Sequence, residues 1–354
     1  MTIDYKVDAD GIATITWAMQ DVPMNVLNEQ SIPAFSEAVR KAVADAAVKG
    51  VIIASAKPDF IAGADLNMML AITDAQGLLD FVARLHTLLR GIEKSGKPFA
   101  AALNGTTLGG GYEVALACHR RIAADNPKAQ IGLPEVALGL LPGGGGTQRL
   151  PRMIGLRGAL PLLLEGKKLP PEKALDAGLV DEVVPAEQLL TRAKEWLLTE
   201  GPKNATQPWD RKGFKLPGGA VQSPGGYETF TAGNAMLRAK TFGNYPAPEA
   251  ILSAVYNGCQ VDIDTGCKVE GREFAKLATG KVSKNMIRSL FFGIGDANKL
   301  ASRPKGIPKA SYSKVGILGA GMMGAGIAYA CAEVGMQVVL LDTSLEAANK
   351  GKGY

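Results

Sequence analysis

Histidine is almost missing from this chain: His86 and His119 are the only two among 354 residues. Imidazole-based metal binding and histidine-activated nucleophiles therefore have little to draw on, and acid–base chemistry falls to carboxylates. Cysteine is scarce as well. Cys118, Cys259, Cys267 and Cys331 form no C-x-x-C pair, and their spacing offers no convergent ligand set for zinc, so idle thiols in a reducing compartment are expected. No apolar run reaches the ~18 residues that would suggest a membrane span. The opening MTIDYKVDADG has neither a basic stretch nor an apolar one, which argues against a signal peptide, and its acids argue against a mitochondrial transit peptide. These absences lead to the expectation of a cytoplasmic protein. A dense Lys/Arg run is lacking too. The net charge of +5 is spread along the chain, which speaks against nucleic-acid binding and leaves only a mild attraction for phosphorylated small ligands.

What is present suggests two domains. The length exceeds the ~150 residues of a typical domain, and a hydrophobic fraction of 47% allows a sizeable core. Asp10-Gly11 precedes an alternating strand, Ile12 to Trp17, as in a hairpin. Asn28 is placed to cap a helix with Ile32, Phe35, Val39 and Val43 on one face, and Gly50 leads into the buried-strand run Val51 to Ala54. A second amphipathic helix carries Leu78, Phe81, Val82, Leu85, Leu89 and Ile92. Phe99 to Leu103 reads as the next strand, and Gly109-Gly110-Gly111 turns the chain into a short helix from Tyr112 to Cys118. Strands and helices alternate as an α/β domain requires. Prolines and glycines between Gly201 and Gly226 mark a loop, residues 227–300 turn polar-helical, and Ser302 to Lys309 reads as a second linker.

Three stretches carry chemistry: I-A-G-A-D (61–65), N-G-T-T-L-G-G-G-Y-E (104–113) and I-G-L-P-E (131–135), the last running on into P-G-G-G-G-T-Q-R-L (142–150). Glycines let backbone N–H groups approach a ligand, and a helix starting at them adds the positive end of its dipole. Such donors suit an oxygen that becomes negative during reaction. Two carboxyl groups in opposite protonation states suit moving a proton on and off carbon and water. Glu113 lies just past the triple glycine, and Glu135 follows a strand-like segment and a proline turn. Each signal alone has a bland reading: a triple glycine is often a turn, a helical Glu often a solvated face, and Glu135 could be a helix-cap carboxylate.

Taken in order, these stretches resemble the crotonase (enoyl-CoA hydratase/isomerase) superfamily over roughly residues 5–190, together with K-A-L-D-A-G-L-V-D-E-V-V-P at 173–185. The resemblance implies a crotonase-like spiral of ββα units. It implies an oxyanion hole from the backbone N–H groups of Ala64 and Gly110, with Glu113 and Glu135 as the two catalytic glutamates. Asn25, Ala62 and Asp65 would belong to the substrate site for a coenzyme A thioester, and hydration itself would need no cofactor. The family also holds isomerases, hydrolases, dehalogenases and decarboxylases, so fold alone does not fix the reaction; both carboxylates favour the hydratase. The connection from Cys118 to Gln130 is about two residues longer than the family pattern; extra length in the loop Ala124 to Pro127 would leave the geometry intact, whereas elsewhere it would displace Glu135.

A second motif follows the linker. The strand-like Val315 to Leu318 enters G-A-G-M-M-G (319–324), an apolar helix follows, and Asp342 ends the next strand. In that setting Gly319, Gly321, Gly324 and Asp342 read as a dinucleotide fingerprint that favours NAD over NADP. This part resembles the opening of a 3-hydroxyacyl-CoA dehydrogenase domain. The whole chain, including G-R-E-F (271–274) and K-N-M-I-R (284–288), resembles the α subunits of bacterial multifunctional fatty-acid oxidation complexes.

The expected organisation is a hydratase domain over 1–190, a helical connecting region over 191–310 and an incomplete Rossmann βαβ unit over 311–354. Two hydrophobic strands and one helix cannot cover both faces of a parallel sheet. The chain is therefore expected to be a piece of a longer protein, without dehydrogenase activity and with weak NAD binding at most. The resemblance implies an acyl-CoA substrate, β-oxidation, a thiolase β subunit as partner and a homo-oligomer. Two rivals stand beside the hydratase: a NAD-dependent oxidoreductase, and a non-catalytic acyl-CoA-binding module that docks a thiolase.

Overall fold

Gly11 makes the first tight turn, its N–H donating to Asp8 O. That turn pairs β1 (Ile3–Val7) antiparallel with β2 (Ile12–Trp17), Ile3 opposite Trp17. This is a computed structural model that describes residues 2–20, 22–308 and 310–353; Lys309 of the second linker lies outside them. The chain divides into two compact units, residues 1–296 and 297–354.

In the first unit, β3 (Gly50–Ser55), β4 (Phe99–Leu103), β6 (Arg120–Ala124) and β9 (Glu182–Val184) extend the sheet in the order β1-β2-β3-β4-β6-β9, parallel from β2 onward. Between visits to this sheet the chain contributes to a small second one, β5 (Thr107–Leu108), β7 (Ile131–Gly132) and β8 (Lys168–Leu169), in the order β5-β7-β8. That alternation is the ββα spiral expected from the resemblance.

The helices of this unit are α1 (Ser31–Ala44), α2 (Leu66–Ala71), α3 (Ala75–Glu93), α4 (Gly110–Ala117), α5 (Gly146–Glu165), α6 (Pro171–Asp176), α7 (Leu189–Thr199), α8 (Pro224–Thr241), α9 (Pro246–Gly258), α10 (Ile263–Ala278) and α11 (Lys281–Met286); α12 (Ile294–Asn298) runs across residue 296. A parallel sheet must be covered on both faces. Phe99, Ala101 and Leu103 of β4 face the main core, while Ala100 and Ala102 face a second cluster with Ala193, Trp196 and Leu197 of α7. The alanines of β4 are thus a packing choice: small side chains let α7 lie close on the sheet.

Asn28 does not occupy the cap position of α1, which falls to Gln30. Its Oδ1 nonetheless accepts from the Gln30 and Ser31 N–H groups at 3.0 and 2.9 Å, an Asx turn that feeds the helix. After β6 the chain turns through a short loop: Asn126 Oδ1 accepts from Lys128 N–H, and Ala129 N–H donates to Asn126 O. Thr107 N–H then donates to Gln130 O, so β7 enters in register with β5.

In the second unit, β10 (Lys314–Leu318) and β11 (Gln337–Leu341) pair in parallel around α13 (Met322–Glu333), followed by α14 (Leu345–Lys352). Its apolar side chains are poorly covered, with Leu318 83% and Met322 85% exposed. No helix among the described residues is long and apolar enough to cross a membrane.

Candidate active site

The site is built where the loop after β3 meets the loop after β5. Asn25 fixes the first loop. Its Nδ2 donates to Ser55 Oγ (2.9 Å) and Phe60 O (3.0 Å), its Oδ1 accepts from Met19 N–H (3.2 Å), and its carbonyl accepts from Ala62 N–H. The side chain expected to meet substrate is instead 1% exposed and engaged inward. It holds the loop, and its amide has no free polar atom to offer a ligand. Leu27 bridges to Ala64, and Asp65 caps α2 by accepting from Asn67 N–H at 2.8 Å. Asp65 also lines a cleft of about 690 Å³ with Met68, Ile72, Leu78 and Phe81.

A Cβ built on Gly110 would lie 3.9 Å from Ala64 N, so the two expected oxyanion donors are neighbours. Neither N–H donates to an acceptor among the described residues. Both stand free for a ligand oxygen, with the N-terminus of α4 behind them.

Glu113 lies in the first turn of α4 and is 2% exposed. Its Oε1 accepts two backbone hydrogen bonds, from Gly144 N–H and Gly146 N–H, both at 2.7 Å. The glycine at 144 is required by this approach, since a Cβ there would stand 2.7 Å from Glu113 Oε2. Burial drives the Glu113 pKa well above the ordinary carboxylate range, aided by the negative charges of Glu270 and Glu135 and opposed by the two N–H donors. Glu135 opens a single 3-10 turn that ends at Leu138. Its Oε2 is sealed from solvent without a hydrogen-bond partner. Burial pushes its pKa up to about 8, with a smaller contribution from Glu270 and a lowering from its own backbone N–H. Gly109 ties the two carboxylates together: its carbonyl accepts from Glu113 N–H, and a Cβ on it would lie 3.0 Å from Glu135 Oε1.

Sequence reasoning passed over Glu270. This residue of α10 is fully buried and accepts from Gly145 N–H (2.6 Å), Thr147 N–H (2.9 Å) and Thr147 Oγ1–H (2.5 Å). Its only sequence signal is that it directly precedes the G-R-E-F run.

The remaining titratable candidates are silent. Burial holds His119 down at about 4, with Nδ1 accepting from Phe99 N–H. Burial also lifts the thiols of Cys118 and Cys267 to about 12 and that of Cys259 to about 11. In the second unit, a Cβ on Gly324 would fall 1.7 Å from Gly319 O, so only glycine lets α13 sit so near that turn, while nothing stands within 4 Å of a Cβ on Gly321. Asp342 at the end of β11 accepts from Ala320 N–H at 2.6 Å. The open face at Gly321 and the bare N-terminus of α13 fit a pyrophosphate.

Comparison with known proteins gives two family matches. The family model for enoyl-CoA hydratase/isomerase matches residues 8–207, and that for the NAD-binding domain of 3-hydroxyacyl-CoA dehydrogenase matches residues 314–354. The chain is 41% identical over 321 residues to a fatty acid oxidation complex subunit alpha of Shewanella loihica, covering 90% of this chain and 45% of that protein. A Shewanella frigidimarina counterpart is 39% identical over 322 residues, covering 90% and 44%. The chain thus spans less than half the length of these relatives. Among solved structures, an enoyl-CoA hydratase from Bacillus anthracis is similar at 26% identity and TM-score 0.52, covering 85% of this chain and 97% of that one. The human mitochondrial Δ3-Δ2-enoyl-CoA isomerase shares the fold at 24% identity and TM-score 0.61, covering 84% and 99%.

Proposed function

Because the chain belongs to the enoyl-CoA hydratase/isomerase family, we propose that its first unit hydrates trans-2-enoyl-CoA to 3-hydroxyacyl-CoA, with Glu113 and Glu135 as the acid–base pair. The observation that carries this reading is the juxtaposition of two coupled carboxyl groups, both of raised proton affinity and so able to share one proton, with the N–H groups of Ala64 and Gly110, which donate to no acceptor among the described residues. The thioester oxygen would accept from those N–H groups, and the negative charge that grows on it during addition would be stabilised without reorganisation. One carboxylate takes a proton from water as its oxygen bonds to C3. The other delivers a proton to C2, and exchange between the coupled pair restores the starting state. No electrons change hands, so this step needs no cofactor.

The same pair is suited to carrying a proton between C2 and C4, which is Δ3-to-Δ2 isomerisation. For the protein's further activities we propose the following. Gly319, Gly321, Gly324 and Asp342 would hold NAD, which would supply a hydride acceptor for the 3-hydroxyacyl product in a longer chain. That longer protein would be a cytoplasmic oligomer assembled with a thiolase subunit; the naming of its relatives as complex subunits supports a partner subunit and nothing finer.

The test follows loss of the conjugated enoyl-thioester absorbance on adding crotonyl-CoA. The chain should turn it over, and Glu113→Gln and Glu135→Gln should each lower kcat by about 10²–10⁴. Full activity in both variants would sink the mechanism. An inactive wild type with tight acyl-CoA binding would favour a non-catalytic module.

A further inference from the structure

Four successive N–H groups at the start of α5 are divided between two buried carboxylates. Those of Gly144 and Gly146 point to Glu113, and those of Gly145 and Thr147 point to Glu270. We infer that Glu270, carried on α10 beyond the stretch matched by the hydratase family, is a positioning residue of the active site, which holds the glycine loop against Glu113 and places a fixed negative charge behind it. The inference rests on the hydratase reading for its effect on turnover, and on geometry alone for the rest.

The donors decide where that charge sits. Glu270 receives two N–H groups, the Thr147 hydroxyl, and lies 3.3 Å from His86 Nε2, which also meets Gly143 O at 2.8 Å. Glu113 receives two N–H groups on Oε1 and none on Oε2. Two ionised carboxylates on one short loop repel strongly in a low-dielectric interior, so one retains its proton. Glu270 has the fuller donor set, whereas Glu113 has no donor on Oε2 among the described residues, so the proton is favoured on Glu113. Glu270 also has no lysine or arginine partner among the described residues.

The other groups around this loop do not neutralise it. Arg149 of α5 is paired with Glu93 of α3 at 2.7 Å, which it shares with Arg90, and it meets the loop only by donating to Gly144 O at 2.8 Å. Cys267, on the same helix as Glu270, is held as a thiol. Glu135 lies across Gly109 and adds a further acid. The negative charge of Glu270 raises the proton affinity of both Glu113 and Glu135. A residue distant in sequence thus bears on both members of the pair.

Glu270→Gln keeps the shape and removes the charge, so it separates tuning from packing. Two quantities are to be read across pH: kcat and KM for crotonyl-CoA, and the infrared carboxyl band of Glu113, identified by its loss in Glu113→Gln. In Glu270→Gln the Glu113 band and the pH limb of kcat/KM should both move to lower pH by about one unit or more. kcat should fall by about tenfold or more with KM within about twofold. Glu270→Asp should keep the limb near its wild-type position while kcat falls, because the charge stays and the reach shortens. If Glu270→Gln is too unstable to assay, His86→Leu, which removes a neighbour of Glu270 and of Gly143 O but leaves both carboxylates in place, should move the band in the same direction by less. A Glu113 band that stays at its wild-type position in the assayed variant overturns the inference. A wild type that fails to hydrate crotonyl-CoA overturns the hydratase reading instead, and the infrared titration still decides the role of Glu270.

Discussion

Glu135 couples chemistry to stability through its proton. Its pKa stands near 8 in the folded chain, against an ordinary value of 4.5. Between these values the folded state holds a proton that the unfolded state has released, so stability falls as pH rises through the window. The contribution is fully present below 4.5 and lost above about 8, and Glu113 adds to it in the same direction. Gln imitates the protonated acid at every pH. Glu135→Gln should therefore gain denaturation midpoint relative to wild type as pH is raised from 5 to 8.5, and a difference that stays flat would contradict the raised pKa. At this scale legibility depends on distance along the chain. Glu113 and the glycines before it are neighbours in one motif and could be read together. Glu270 meets the loop from 125 and 123 residues away, so no local pattern announces it. Asn25 shows the converse: its position near the site was legible, but its inward hydrogen bonds were not.

Elements defined by periodicity were readable, and those defined by their partners were not. The buried faces of α1 and α3 and the strands β2 and β3 follow from the spacing of their apolar residues. The strands β5, β7 and β8 are two residues each and exist only through mutual pairing. α5 contains Pro151 and Pro161 and breaks at Gly155, features that conceal a helix from propensity. α11 illustrates how a late element supports an early one. Lys284 Nζ donates to the carbonyls of Met69 (2.5 Å), Leu70 (2.9 Å) and Ile72 (2.5 Å), closing the C-terminal end of α2. Those carbonyls have no intrahelical donor, and a buried cation is a strong substitute. Lys284→Met leaves them unsatisfied and should cost about 1–3 kcal/mol of stability, read from the shift in urea midpoint. Since α2 begins two residues after Ala64, KM for crotonyl-CoA should rise as well. A variant with unchanged midpoint and KM would remove α11 from the account of the site.

For the molecule as a whole, the question is which part of the chain the hydratase requires. The family match ends at residue 207, yet Glu270 on α10 and Lys284 on α11 reach back to the glycine loop and to α2. α10 also packs on α3, α5 and α9, and its Phe274, Ala275, Leu277 and Ala278 belong to the same core as β4. A chain cut after residue 207 would expose that core and strip the loop of one of its two carboxylates. It should be insoluble or inactive toward crotonyl-CoA. A chain cut after residue 298 keeps Ala64, Gly110, Glu113, Glu135, Glu270 and Lys284, all within the first compact unit. Its kcat and KM should stay within about twofold of the 354-residue chain. The dinucleotide fingerprint goes with the part removed, so any NAD binding detected by calorimetry should disappear from the shorter chain while hydration persists. Losing hydration at 298, or retaining it at 207, would show that the catalytic unit has been drawn in the wrong place.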